Sequence, residues 1–267
     1  MFQKYVIKVN TLGFKRNLWI YMKNKIVGVY RIKNEERWIA KSLESISDIC
    51  SEVVILDDGS TDNTVEICQS FDKVDVTHQT NLPTDEVRDM TKLLKMTIKK
   101  KPEYILAFDG DEILAPNSKE ILSEELNVLY PENSVFELQL LHIWDVPYKF
   151  RCDGILHTMW RPRLFKIKNQ STEFHYENSI YPGNLHANHI PDNMEGLDRP
   201  IASKVKILEY GFYSEELRQK KFDYYNLHDP YNVNGENNLY IISGKGYRSG
   251  PNGMEFKKLP KDIVIEI

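Results

Sequence analysis

Two acidic clusters each follow a short apolar run of the sequence. Asp57-Asp58-Gly59-Ser60-Thr61-Asp62 follows residues 53–56, and Asp109-Gly110-Asp111-Glu112 follows residues 104–108. An apolar run that ends in carboxylates and glycine is typical of a buried parallel strand whose carboxyl end opens into a ligand cleft. Clustered carboxylates repel one another, and a bound cation is the usual compensation. These residues predict an enzyme built around a metal ion and a phosphorylated substrate.

The composition is that of an ordinary globular protein of 267 residues, 41% hydrophobic and 28% charged. Such a chain can bury one substantial core, or one core plus an appended lobe. A formal net charge of -4 leaves no overall basic field, so nucleic acid is not an expected partner. No window reaches the roughly 18 apolar residues that a membrane span needs. Three widely spaced cysteines predict packed free thiols in a reducing compartment, and therefore a cytoplasmic location: Cys50, Cys68 and Cys152.

Strand and helix patterns alternate from Lys25 onward. Apolar runs predict buried strands over residues 26–30, 53–56, 74–77 and 104–108. Helical spacing of apolar residues predicts helices over residues 34–49, 62–71, 87–98, 118–129 and 214–225. Ser60 or Thr61 is the expected N-cap of the second helix. Residues 135–140 alternate like a strand with one wet face, and the whole pattern predicts an α/β fold.

The chain resembles the glycosyltransferases of family 2, which have the GT-A fold, over roughly residues 25–225. The matching residues are Arg31-Ile32-Lys33-Asn34-Glu35-Glu36 after the first strand, the cluster at 57–62, and the DxD element Asp109-Gly110-Asp111. Each piece alone is weak, but their order, their positions at strand ends and the 51-residue interval between Asp58 and Asp109 make the combination specific. The resemblance implies one Rossmann-like α/β domain, with a mostly parallel central sheet flanked by helices and an acceptor-side α+β extension.

The resemblance also implies a role for each motif residue in binding a nucleotide-diphospho-sugar donor. Asp58 would accept a hydrogen bond from the base imide, and Asp57 would support that loop. Asp109 and Gly110 would lie beside the ribose, with Asp109 also in the outer shell of the metal. Asp111 is the candidate direct ligand of Mn²⁺ or Mg²⁺. Such an ion bridges both phosphates and stabilises the charge that develops on the leaving diphosphate.

Two arginines and two histidines each allow two interpretations. Arg31 would stack on the base or contact phosphate, or it would form a surface ion pair. Arg88 lies 21 residues before Asp109, near where the family often carries an arginine that meets the nucleotide, and an exposed salt bridge is the alternative. His189 is a candidate metal ligand, with a structural or acceptor-contact role as the alternative. His186 and His189 alone do not suffice for a zinc site, which needs more ligands.

Direct displacement with inversion needs a carboxylate that takes the proton of the acceptor hydroxyl. We expect Glu177 to be this base, because residues 174–177 follow residues 160–166, which resemble the edge strand that precedes the base in related enzymes. The other available carboxylates are Asp145, Asp153 and Glu173. Glu209 stands where many relatives carry a histidine, so either it replaces that histidine as a metal ligand or the site lacks the contact.

Aromatic residues of the second half could form a platform for the apolar face of an acceptor sugar, or they could be core residues: Trp144, Tyr148, Trp160 and Tyr181. The chain divides into an N-terminal extension, a nucleotide-sugar-binding half, an acceptor-binding and catalytic half, and a C-terminal tail, at residues 1–24, 25–130, 131–230 and 231–267. Basic and apolar residues between 14 and 23 would form an amphipathic helix that touches a membrane surface, or a plain packed terminus.

The expected activity is metal-dependent, inverting transfer of a sugar to a glycan, lipid-linked or protein acceptor, as in polysaccharide biosynthesis. One alternative is a binding module that kept the fold and lost turnover. A glycoside hydrolase needs two carboxylates across a sugar and no adjacent DxD element. A sugar-nucleotide-forming nucleotidyltransferase needs a glycine-rich loop after the first strand, and residues 29–33 contain no glycine.

Overall fold

The computed structural model describes residues 6–8, 17–19, 24–80, 82–154, 156, 159–167, 173–179, 182–228, 238–245, 249 and 251–265. Strands β1 (Val6–Lys8) and β2 (Asn17–Trp19) form a separate antiparallel pair. The amphipathic helix considered for residues 14–23 is therefore wrong at 17–19, and the rest of that segment lies outside the described residues. Tyr181, the fourth residue of the expected aromatic platform, lies outside them as well.

The first half of the main sheet is parallel, as predicted. Its strands are β3 (Ile26–Ile32), β4 (Glu52–Asp57), β5 (Val74–His78) and β6 (Tyr104–Phe108). They lie side by side in the order β6-β3-β4-β5, and each runs in the same direction as its neighbour. Their carboxyl ends therefore meet at one edge, where both acidic clusters follow directly.

Helices cover both faces of these strands, which explains the continuous apolar runs. The helices are α1 (Ile39–Ile46), α2 (Thr64–Gln69) and α3 (Glu86–Ile98). Successive residues of β3 point to opposite faces. Ile26 and Tyr30 join the apolar core shared with α1 and α2, whereas Val27 and Val29 join the core beneath α3.

The second half of the sheet is mainly antiparallel. Its strands are β7 (Glu112–Leu114), β8 (Val135–Trp144), β9 (Val146–Arg151), β10 (Trp160–Lys166), β11 (Ile201–Glu209) and β12 (Phe256–Lys258). Strand β10 pairs with β6 on one side and with β8 on the other. The expectation of an edge strand over residues 160–166 is therefore wrong. The same pairing makes one continuous sheet of the two halves.

The remaining helices lie outside the parallel half. Helix α4 (Ser118–Glu124) continues as a π-helical turn (Glu125–Leu129), and α5 (Glu215–His228) follows β11. In the described part of the chain, no helix combines the length and apolar character that crossing a membrane requires. The three cysteines are buried free thiols, as expected.

Candidate active site

The loops after β3 and β4 are tied together by hydrogen bonds. Asn34, in the left-handed region at φ 57°, accepts a bond from the Thr61 amide at 2.8 Å, and its own amide donates to Ser60 Oγ at 2.8 Å. Glu36 accepts from the amide and the side chain of Asn63 at 3.1 and 2.9 Å. These contacts keep residues 34–38 outside α1, so the predicted helix start at residue 34 is wrong.

The start of α2 also differs from the prediction. Asn63 takes the N-cap position, and the Asp62 carboxylate accepts from the Thr64 amide at 3.1 Å. The N-cap expected at Ser60 or Thr61 is therefore wrong, because Ser60 bonds instead to Asp57.

Asp57 is fully buried and holds the loop that follows it. Its Oδ2 accepts from the amides of Gly59 and Ser60 at 3.2 and 3.0 Å, and it contacts His78 Nδ1 at 2.6 Å. The Ser60 hydroxyl donates to the other carboxylate oxygen. Asp57 thus orients the backbone on which Asp58 is carried.

Asp58 lies at the centre of a polar network at the carboxyl ends of β3 and β4. Arg31 Nη2 donates to Asp58 Oδ2 at 2.9 Å, and Gln79 Nε2 donates to Asp58 Oδ1 at 3.1 Å. Arg31 Nε also donates to Asp89 Oδ2 at 3.0 Å, and Glu86 lies 3.4 Å from Arg31 Nη1. The structure therefore brings together Arg31 and Asp58, two of the residues expected to contact the nucleotide.

Arg88 forms a local ion pair. Its Nε and Nη2 donate to Asp89 Oδ1 at 2.9 and 2.7 Å, and its Nη1 donates to the Pro83 carbonyl. About a third of the side chain is exposed. This is the salt-bridge alternative, and a contact between Arg88 and the nucleotide stays a prediction.

Asp109, directly after β6, is held by two side chains from the second half of the chain, His189 and Arg163. Its Oδ1 lies 2.9 Å from His189 Nε2, and its Oδ2 lies 3.2 Å from Arg163 Nη2. The same Arg163 nitrogen pairs with the buried carboxylate of Glu112. Burial and the nearby Arg163 lower the pKa of His189, so the ring bonds to Asp109 as a neutral donor near neutral pH.

Asp111 belongs to a second charge cluster. Lys221 Nζ lies 3.0 Å from Asp111 Oδ2 and 3.6 Å from Glu209 Oε1, and Glu209 also pairs with His142. Burial raises the pKa of Asp111; Lys221 opposes this, while Glu209 and Asp109 reinforce it. Burial also opposes ionisation of Glu209, but His142 and Lys221 outweigh it and lower the pKa of Glu209 to about 2.

The expected metal ligands do not form one group. His189 contacts Asp109, whereas Asp111 contacts Lys221, and no set of three His, Cys, Asp or Glu side chains in the described ranges stands ready to hold a metal ion. The donor chemistry nevertheless fits a hard cation, because an ammonium already lies between the carboxylates of Asp111 and Glu209. Glu209, rather than His189, is the neighbour that could complete such a site.

Gly110 allows Asp109 and Asp111 to lie against the first loop. A Cβ at position 110 would be 2.5 Å from Glu35 Cγ and 2.9 Å from Glu35 Cβ. The glycine of the DxD element is thus explained by close packing against Glu35, and its contact with the nucleotide stays a prediction.

Two cavities meet at Asp109. The smaller, of about 60 Å³, lies between Arg31, Glu86 and His189. The larger cavity, of about 410 Å³, is lined by both Asp109 and Glu209. Its remaining wall combines apolar and aromatic side chains, including Leu140, Met159, Phe212, Tyr225 and Tyr240, with about as many polar and charged ones. Such a volume is in the range of small-molecule sites, roughly 300–1,000 Å³.

Among the described residues, neither the expected base Glu177 nor the platform residues Trp144, Tyr148 and Trp160 line these cavities. Glu177 is exposed, and its amide donates to Asp192 Oδ2 at 2.7 Å. Trp144 is buried against Phe212, and Tyr148 is 49% exposed. The aromatic walls come instead from Phe212, Tyr225 and Tyr240.

Neither Arg163, which binds Asp109, nor Lys221, which binds Asp111, was predicted from the sequence to lie in the site. Lys221 has only 28% of its side chain exposed, and Arg163 has 3%. One signal was available for Lys221, because it lies one helical turn before Tyr225, which packs against an apolar cluster. No local pattern marks Arg163, which lies 54 residues from its partner.

Residues 31–138 match the family model described as glycosyl transferase family 2. This part of the chain is similar to a family 2 glycosyltransferase domain. The match runs from Arg31 to Leu138 and includes both acidic clusters. No curated protein shows a significant sequence match.

Solved structures similar to the chain include proteins of two bacteria. A fragment of S. aureus TarS is 17% identical with a TM-score of 0.45, covering 77% of this chain and 66% of that one. The same fragment with UDP-GlcNAc is 23% identical with a TM-score of 0.36, and the match covers 45% of this chain and 35% of that one. Glucosyl-3-phosphoglycerate synthase of M. tuberculosis, with Mn²⁺, UDP and phosphoglyceric acid, is 19% identical with a TM-score of 0.32. The match covers 45% of this chain and 44% of that one. The chain thus spans between about a third and two thirds of these proteins.

Proposed function

We propose that the chain transfers a sugar from a nucleotide-diphosphate donor to a hydroxyl of a glycan, lipid-linked or protein acceptor. The observation that carries the proposal is the meeting of Arg31, Asp58 and Asp109 at one edge of the parallel sheet, inside the part of the chain that matches the family 2 model. The larger cavity beside Asp109 gives space for an acceptor, and the smaller one adjoins the residues proposed to bind the donor. Three buried free thiols favour a cytoplasmic location for the reaction.

The donor nucleotide would bind where β3 and β4 end. Asp58, oriented by the loop that Asp57 holds, would accept the imide proton of the base. Arg31, which bonds to Asp58 and borders the smaller cavity, would contact the base or a phosphate after a small shift. The smaller cavity, at about 60 Å³, holds about two waters' share of liquid volume, so binding requires Arg31 to move.

A divalent cation, Mn²⁺ or Mg²⁺, would be held by Asp111 with Glu209, and Asp109 would lie in its outer shell. Bound there, the ion would supply positive charge to the leaving diphosphate. Arg163 and His189, which both contact Asp109, hold that carboxylate in place.

The acceptor would lie in the larger cavity. Phe212, Tyr225 and Tyr240 offer aromatic surfaces for the apolar face of a sugar. Glu177 is the proposed base of an inverting displacement. Because Glu177 is exposed and outside the cavity wall, an acceptor that reaches it extends beyond the cavity rim.

A donor panel tests the proposal. Thermal unfolding with Mn²⁺ and each nucleotide sugar identifies the donor, since a ligand that binds only the folded state raises the melting temperature. Metal-dependent release of free nucleotide diphosphate from that donor then shows transfer or donor hydrolysis. Stabilisation without release would assign the chain as a binding module, and sugar release from glycans without any nucleotide would assign it as a hydrolase.

A further inference from the structure

Lys221 of helix α5 places an ammonium group inside the acidic centre. Its Nζ lies 3.0 Å from Asp111 Oδ2 and 3.6 Å from Glu209 Oε1. It also lies over the Phe212 ring, 4.6 Å from the centroid. The ammonium thus occupies the point on which both carboxylates converge, and any other cation bound by both oxygens must take the same place.

Gly211 makes this contact sterically possible. A Cβ at position 211 would collide with both Lys221 Nζ and Asp111 Oδ2. The φ of Gly211 lies outside the left-handed region, so backbone conformation does not explain why this residue is glycine. The glycine is explained by the space that its missing side chain leaves. The loop between β11 and α5 is therefore shaped to accommodate the contact between Lys221 and Asp111.

Helix α5 is held by partly buried apolar side chains, Leu217, Phe222 and Tyr225, and by charged ones. None of its residues is buried. Arg218 Nη2 donates to Asp145 Oδ1 at 2.9 Å, and its guanidinium lies 4.4 Å from the Trp144 ring centroid. Release of Lys221 from Asp111 would therefore leave Arg218 as the main charged anchor of the helix.

We propose that Lys221 is an internal counter-ion that competes with the divalent metal for Asp111 and Glu209. This inference rests on the metal dependence in the proposed function. Two cations within a few ångströms repel each other strongly in a partly buried site, so the metal must displace the ammonium. The observed metal affinity then equals the intrinsic affinity multiplied by the fraction of molecules in which Lys221 has left the carboxylates.

Mn²⁺ binding without donor tests this competition. Free Mn²⁺ is measured by electron paramagnetic resonance during titration of the wild-type chain, Lys221→Met, Lys221→Arg and Lys220→Met. We expect Lys221→Met to bind Mn²⁺ about tenfold tighter or more, because the competitor is absent. Lys221→Arg keeps a cation and should stay near wild type. Lys220 is the matched control, since it is exposed and pairs with Glu216 at 2.8 Å, so its substitution should leave the affinity unchanged.

Affinity of Lys221→Met equal to or weaker than that of wild type would overturn the inference, as would the absence of Mn²⁺ binding by all four proteins. Thermal unfolding verifies that each variant is folded, and Lys221→Gln serves the same comparison if the methionine variant is not. Failure here is separable from failure of the proposed function, because nucleotide diphosphate release that persists in EDTA would leave the transferase assignment standing.

Discussion

Arg31 Nη2 lies 2.9 Å from Asp58 Oδ2, so a side chain from the end of β3 neutralises the carboxylate at the end of β4. In the parallel sheet Ile32 is opposite Asp57, which makes this pairing a direct result of strand register. The Asp58 carboxylate therefore has a fixed position and a charged partner before any nucleotide arrives.

Asp58→Asn should weaken donor nucleotide binding about tenfold to a hundredfold. The amide keeps the shape but loses the negative charge, and a hydrogen bond to a charged group is worth about 1.5–3 kcal/mol. Isothermal titration with the donor nucleotide measures the change. Asp62→Asn is the control, because Asp62 bonds to Thr64 at the start of α2. Equal affinity in wild type and Asp58→Asn would remove Asp58 from the nucleotide site.

Arg163→Met should destabilise the fold by about 3–5 kcal/mol, because it leaves the buried Glu112 carboxylate and Asp109 without their shared cation. Urea unfolding measures the loss. Arg161→Met, on the same strand but exposed, should change stability by less than about 0.5 kcal/mol. Similar unfolding midpoints for the two variants would show that Arg163 is not the counter-ion of the centre.

The sequence allowed prediction of those parts of the site that local pattern determines. An apolar run that ends in Asp57-Asp58 or Asp109 marks a strand end, and the four strands of the parallel half begin and end within two residues of expectation. Charge partners follow from topology instead. Lys221 lies 110 residues from Asp111, and Arg163 reaches Asp109 only because β10 inserts between β6 and β8. No spacing within one segment predicts such pairs.

Gly110→Ala should lower transfer while the chain remains folded. The added methyl group would press on Glu35, whose side chain can rotate away, so the expected destabilisation is about 1–3 kcal/mol. Displacement of the loop that carries Asp109 and Asp111 would reduce turnover more than donor affinity. Steady-state kinetics separates these effects, and wild-type turnover with an intact fold would show that close packing at Gly110 does not position the two carboxylates.

Glu177→Gln should reduce transfer by about 10²–10⁴-fold, the usual contribution of a general base, with donor nucleotide binding unchanged. The amide cannot take the acceptor proton, and the exposed position of Glu177 makes a folding defect unexpected. Glu173→Gln is the matched control, since it is an exposed carboxylate on the same segment and should keep wild-type activity. Full activity of Glu177→Gln would exclude this residue as the base and leave Asp145 and Asp153 as the carboxylates to test.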